Sequence, residues 1–314
     1  MKKLIALLLC GVCAGVCSAA TAEKAPAAAK AKVEFVIIES SDYPAGKEDP
    51  QLTAGIAQFL EVTPVVKRVS EAQVATDKRL AGLKYDFLPL YLVQKTKAVR
   101  SKMEKPLQHG YAQENEDFII LSHQTRQGVY ADKPAQKGVL DLFVMAQCPF
   151  GVRAENSVIQ AKKEGKIPAD KTLRLHYIVD YDPVRGFNSM HGSGEWEEAV
   201  RQLLIAKYYP QKFWKYLEIR NKDYRSSRWD KAMEQAGISV SKITKKFDSE
   251  GLELLKAEAA YAKEFGISAS PTVLWEGKVQ MDLRGAMHLE GFGFFESFFK
   301  PDQAASGAVA AGSC

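Results

Sequence analysis

The stretch Val139-Leu140-Asp141-Leu142-Phe143-Val144-Met145-Ala146-Gln147-Cys148-Pro149-Phe150-Gly151 decides the fold. Val139 to Met145 is apolar enough for a strand buried on both faces, and Pro149 to about Lys163 has the composition of a helix. Cys148 therefore stands at a strand-to-helix junction. There, backbone N–H groups and the helix dipole favour a thiolate, and the following proline suits the first helical position. Free cysteines are more often small buried hydrophobes, but a strand-Cys-Pro-x-x-helix arrangement in an exported chain favours a nucleophile.

Downstream, the pattern predicts a strand from Leu173 to Val179 and a long helical stretch from Glu195 to about Phe265, interrupted near Asp223 to Ser227 and at Gly237. A strand entered through Ser270-Pro271-Thr272 follows, then a Glu276-Gly277 turn, a strand near Val279 to Leu283, and a Phe-rich helix from Leu289 to Phe299. Pro271 reads either as a trans residue starting an edge strand or as a cis residue that exposes a backbone edge for an extended substrate. Upstream, strands are expected at Val33 to Ile38, Pro64 to Val69 and Asp86 to Val93, with helices at Gln51 to Leu60 and Ala72 to Ala81. Thr96 to Ala135 is polar and broken, with one strand-like run at Phe118 to Leu121, and reads as the end of a first domain and a connector.

Composition sets the frame. The 314 residues are about two domains' worth, 46% apolar and 26% charged, as in an ordinary folded protein. Met1-Lys2-Lys3, the apolar run Leu4 to Val16 and the small residues ending at Ala22 have the layout of a secretory signal peptide, with cleavage expected after Ala22. An uncleaved anchor and a lipoprotein site at Cys10, Cys13 or Cys17 are the minor alternatives. Cleavage removes three of five cysteines, leaving Cys148 and Cys314, and takes the formal charge from +5 to +3 by removing Lys2 and Lys3. Interspersed charges speak against a nucleic-acid partner, and a periplasmic or secreted protein without a stable membrane span is expected. The expected division is a signal peptide at 1–22, a linker at 23–31, a first domain at 32–135, a second at 138–300 with a helical insertion at about 190–265, and a flexible tail at 301–314.

The second half resembles the DsbA-like branch of the thioredoxin superfamily. The resemblance rests on Met145 to Gly151, His191-Gly192, Lys207-Tyr208-Tyr209-Pro210, Phe213-Trp214 and Ala269-Ser270-Pro271-Thr272, and it covers roughly 138–299. It is similar to bacterial exported proteins in which a thioredoxin-like domain precedes the DsbA-like one. The element order of the first half is also that of a thioredoxin fold, with its motif position expected at Ser40-Ser41-Asp42-Tyr43, which holds no cysteine. An α/β protein of two tandem thioredoxin-like domains is thus expected. Pro149, Phe150, Gly151, Ser270, Pro271 and Thr272 would line the substrate site.

The departures from the family pattern are as telling. Gly151 replaces the second motif cysteine, Leu142 stands where an acidic residue is often buried beneath the pair, and Arg228 to Asp248 holds no cysteine. With one motif thiol, Cys148 forms a mixed disulfide that another thiol must resolve. Cys314, the other cysteine left after cleavage, is the one internal candidate and is within reach, since the 14 residues after Lys300 span up to roughly 45 Å when extended; the alternative reading is an incidental terminal residue. Two readings stay open: a monothiol exchange protein acting on thiols and disulfides of exported polypeptides, served by a redox partner, or a non-catalytic binding module or chaperone for unfolded chains. The five histidines lack metal-ligand spacing, so neither metal nor cofactor is expected. His191 or His288 as a base for Cys148 lacks any hydrolase signature.

Overall fold

The computed structural model describes residues 30–121 and 127–300 together with Cys314. The expected leader, nearly all of the linker and the tail as far as 313 lie outside the described residues. Two mixed sheets carry the chain. The first half contributes β1 (Lys32–Glu39), α1 (Pro50–Leu60), β2 (Thr63–Ser70), α2 (Glu71–Val74), β3 (Phe87–Leu88), β4 (Leu90–Gln94), α3 (Lys97–Lys102), α4 (Glu104–Gln108), β5 (Gln113–Glu114), β6 (Phe118–Leu121) and β7 (Gly128–Tyr130). The second half contributes β8 (Val139–Val144), α5 (Pro149–Lys163), β9 (Thr172–Tyr177), β10 (Asp180–Asp182), β11 (Gly186–Asn188), α6 (Ser193–Tyr208), α7 (Pro210–Arg220), α8 (Trp229–Gln235), α9 (Val240–Lys246), α10 (Leu252–Glu264), β12 (Thr272–Trp275), β13 (Val279–Met281) and α11 (Leu283–Ala286).

The smaller sheet runs β2-β1-β4-β6-β5 and the larger β3-β7-β13-β12-β8-β9. A four-strand plan therefore occurs twice. In each sheet the first strand lies parallel to the second and antiparallel to a strand entered through a cis proline, Leu88–Pro89 before β4 and Ser270–Pro271 before β12. β3 and β7, from the stretch assigned by sequence to the first domain, pair in the larger sheet.

Local chemistry explains most elements. Asp49 caps α1 by accepting the N–H groups of Gln51 and Leu52, Pro50 opens the helix, and Glu61 ends it in the left-handed region. The helix expected at Ala72 to Ala81 ends at Val74. Asp77 accepts the N–H of Arg79 and Thr76 donates to the carbonyl of Gln73, so side chains compete for the backbone groups that a longer helix needs. The expected long helical region is divided among α6 to α10, and Glu198 near the start of α6 is fully buried. Glu198 accepts from Tyr216, Gln202 and Arg201, and Gln202 in turn accepts from Tyr177 of β9, so hydrogen bonds join the inserted helices to the sheet. The Phe-rich end is α11 followed by a 3₁₀ helix at Gly293–Phe299 rather than one α-helix. Phe292, Phe295 and Phe298 are buried at the three-residue spacing that lines up one face of a 3₁₀ turn. Among the described residues no helix is long and apolar enough to cross a membrane.

Candidate active site

Cys148 is the N-cap of α5. Its backbone is extended, Pro149 takes the first helical position, and the N–H of Gly151 points at its Sγ at 3.5 Å. That contact and the dipole of a 15-residue helix favour negative charge on the sulfur. The turn before it closes through Cys148 N–H to the carbonyl of Met145 (3.0 Å). It is pinned on one side by Ser270 Oγ, which accepts the N–H of Met145 at 2.9 Å, and on the other by Glu195 Oε1, which accepts the N–H of Gln147 at 3.0 Å.

Cys148 is wholly buried and disulfide-bonded to Cys314, 166 positions away, with a Cα–Cα distance of 6.3 Å. Backbone pairing accompanies the bond. The N–H of Cys314 donates to Ser270 O (2.8 Å) and the N–H of Ser270 donates to Cys314 O (3.2 Å), a reciprocal antiparallel pair on the residue before Pro271. Thr272 follows as the first residue of β12, opposite Phe143, with its hydroxyl on the carbonyl of Ala269 (2.6 Å). The structure thus brings together Cys148, Gly151, Ser270, Pro271 and Cys314. Phe150 packs on the apolar clusters at either side of the sheet.

Gly151 sits where no side chain fits. A Cβ there would lie 2.7 Å from Ser270 Oγ, 3.0 Å from the carbonyl oxygen of Met145 and 3.2 Å from Val144 Cβ. Ser270 and the motif turn occupy the space that a second motif thiol needs. Leu142 is buried in the main apolar cluster with Val144, Ala154 and Val158, so no carboxylate lies under Cys148 from that position. A fully buried carboxylate lies next door on Asp141, bound by Arg174, by His176 (3.2 Å) and by the Tyr261 hydroxyl (3.0 Å). Burial pushes this carboxyl up, but the hydrogen bonds and charges of His176 and Arg174 outweigh it and hold it at about 2.

His191, weighed as a base for Cys148, directs Nδ1 to Glu195 Oε1 at 2.8 Å. Among the described residues no group of three His, Cys, Asp or Glu side chains is placed to hold a metal ion. Sequence reasoning missed Glu195. It is 48 positions from Gln147, and nothing in its local pattern marks it except its place in the first turn of α6.

The smaller sheet has a comparable corner: Ile38 faces Leu90 beside Pro89 as Phe143 faces Thr272 beside Pro271. The chain beyond β1 differs, since Tyr43 leads into a short 3₁₀ turn at Pro44–Gly46 and α1 begins only at Pro50, capped by Asp49. The expected motif position, Ser40-Ser41-Asp42-Tyr43, lies between β1 and that turn, and Ser40 is buried against Gly46.

No family model matches the chain, and no curated protein matches it. Solved structures similar to it are disulfide oxidoreductases and thioredoxin-like proteins. They include DsbA from Proteus mirabilis (14% identity, 57% of this chain and 93% of that chain, TM-score 0.39) and oxidised BdbD from Bacillus subtilis (17% identity, 55% and 88%, TM-score 0.36). A putative protein disulfide isomerase from Nitrosomonas europaea is a third (13% identity, 46% and 85%, TM-score 0.35). These likenesses are remote, and the chemistry of the site follows from its own residues.

Proposed function

We propose that this chain is an exported thiol-disulfide exchange protein of two tandem thioredoxin-like units, the first completed at the smaller sheet and lending β3 and β7 to the larger, in which Cys148 attacks and Cys314 resolves. The observation that carries the reading is the Cys148–Cys314 bond together with the reciprocal pairing of Cys314 on Ser270. Cys314 holds the place that the cysteine of an extended substrate would take, with its sulfur on Cys148 and its backbone on the edge beside Pro271.

The reaction then balances without a second motif thiol. The Cys148 thiolate attacks a substrate disulfide, bonds to one sulfur and releases the other as a thiolate. The Cys314 thiolate next attacks Cys148 Sγ, forms the bond seen here and expels the substrate's remaining sulfur as a thiolate. The substrate disulfide is reduced to two thiols and the protein's dithiol is oxidised; a partner dithiol returns the protein to its starting state. Run in reverse, the same steps oxidise a substrate dithiol. Because Cys314 pairs with the edge that holds substrate, resolution also removes the product's backbone from that edge.

Trapping tests this with a disulfide-containing unfolded protein as probe. Cys314→Ser is expected to accumulate mixed disulfides at Cys148, whereas the native chain shows the Cys148–Cys314 peptide on non-reducing mapping and Cys148→Ser shows neither. If Cys314→Ser traps nothing while Cys148→Ser still binds the unfolded protein, the chain is a binding module and the exchange reading is wrong.

A further inference from the structure

The geometry points to Glu195, on the inserted helix α6, as a positioning residue that holds the Cys148 turn in the shape needed for thiolate formation. This rests on the reading of Cys148 as the attacking thiol. Glu195 is 1% exposed, and burying a carboxylate is costly unless donors surround it. Its donors are the N–H of Gln147 (3.0 Å), the N–H of His191 (3.2 Å) and Nδ1 of His191 (2.8 Å). The Gln147 side chain also lies over the start of α6, with Nε2 3.3 Å from the place a Cβ on Gly194 would take. The residue before the nucleophile is thus fastened to α6 through its main chain, with its side chain lying alongside.

The consequence reaches the sulfur through one residue. The N–H of Gln147 lies in a buried turn, and without an acceptor it would be an orphaned donor, a cost that drives the turn into another shape. The turn's shape sets the N-cap geometry of Cys148, and only that geometry lets the N–H of Gly151 and the start of α5 face Sγ. Ser270 Oγ pins Met145 from the opposite side, so Glu195 supplies the second of two anchors. Glu195 touches neither sulfur and acts through Gln147.

Charge and position predict opposite signs. A carboxylate close to Cys148 disfavours its thiolate, so removing the charge by itself makes the thiol more reactive. Losing the anchor makes it less reactive. The test is the rate of peptide-resolved alkylation of Cys148 by iodoacetamide at about pH 6.5 in reduced, full-length protein, with folding checked by circular dichroism. Glu195→Ala is expected to slow Cys148 about 10-fold, the loss of thiolate that accompanies a rise of one pKa unit. Glu195→Asp keeps the charge but withdraws it from Gln147 and is expected to slow the reaction about 5-fold or more on the same basis. Glu195→Gln keeps an acceptor oxygen without the charge and is expected to match or exceed the native rate.

Alkylation that is unchanged or faster in the Ala and Asp variants overturns the proposal. If the Ala variant does not fold, the Asp-to-Gln contrast decides alone. The readout needs no substrate, so it separates from the exchange reading: trapping can fail in Cys314→Ser while Glu195 still governs thiol reactivity, and the reverse outcome removes Glu195 alone.

Discussion

At the Cys148 corner, the residue before a cis proline pairs with Cys314, and at the Tyr43 corner the matching residue, Leu88, pairs with Val129 of β7. Both edges beside the cis prolines are therefore paired with the protein's own chain. The difference lies in what holds each occupant. β7 is paired on both sides, with β3 and with β13, and the Tyr130 ring packs edge-on against Phe87 and Phe265 while its hydroxyl reaches Gln280. Cys314 is held by two backbone hydrogen bonds and one bond that a thiol can break. Around Tyr43 the turn after β1 is itself a joint: Tyr43 and Ala45 pack on the core of the larger sheet, and burial together with the charge of Glu276 pushes the Tyr43 hydroxyl up. Sheet pairing thus fills one cis-proline edge as a fixed joint, whereas the occupant of the other is held through a sulfur, which is what the proposed exchange requires.

The largest expected effect comes from releasing the exchangeable occupant. Closing a loop across 166 positions stabilises the oxidised protein by up to about 5 kcal/mol in the chain-entropy account, so Cys314→Ser, or reduction, is expected to lower the urea midpoint accordingly. Hydrogen exchange supplies the contrast. The Ser270 amide is expected to lose protection on reduction while amides of β3 and β7 keep theirs. Protection of Ser270 that survives reduction would mean that Cys314 is as fixed as β7, and the comparison would fail.

A smaller effect is expected from prying at the fixed joint. A Cβ on Gly128 would lie 2.2 Å from Phe87 Cζ and 2.3 Å from the carbonyl oxygen of Leu88, too close for ring and backbone both to stay in place. Gly128→Ala is expected to cost about 1–3 kcal/mol in urea unfolding, as overpacked cores do, and to leave Cys148 alkylation unaltered. An unchanged midpoint would show that β3 and β7 part readily.

How much of this was legible beforehand depends on the range over which each signal acts. The Cys148 corner announces itself locally: an apolar run, a cysteine, a proline at the first helical position, and an apolar segment closed by Ser270-Pro271. The junction and α5 accordingly lie where the pattern predicts them. The 3₁₀ turn at Pro44–Gly46 was not legible, because strand ends and turn lengths are set by pairing, and Ile38 meets Leu90 only in the folded sheet. β7 is three residues long, too short for any periodicity to show, and takes its extended form from the strands on either side. Glu195 and the pairing of Cys314 with Ser270 join residues 48 and 44 positions apart, distances at which composition says nothing. The closed space at Gly151 is likewise a tertiary fact, since only the folded chain sets Ser270 Oγ there.

The two sheets also differ in charge at matched positions, which gives the smallest effect. Asp141 in β8 corresponds to Val36 in β1, both fully buried, so a titrating cluster lies under the Cys148 half and an aliphatic contact under the other. Burial lowers the affinity of His176 for its proton, but hydrogen bonds to Asp141 and Glu258 and their charges outweigh that and push it up to about 9. A histidine raised above its unfolded value of about 6.5 contributes stability fully below that pH, and the contribution is lost as pH rises through about 9. Asp141, held at about 2, contributes above its ordinary range and loses its share only as pH falls toward that value. Both shifts describe one coupled pair, so their energies are not summed. All four tryptophans, Trp196, Trp214, Trp229 and Trp275, lie in the second half, and their fluorescence follows its unfolding. The urea midpoint read this way is expected to fall between about pH 7 and about pH 10 by the equivalent of roughly 2 kcal/mol. His176→Gln is expected to flatten that slope. A native profile as flat as the variant's would mean that the buried charges add nothing that distinguishes the Cys148 half from its aliphatic counterpart.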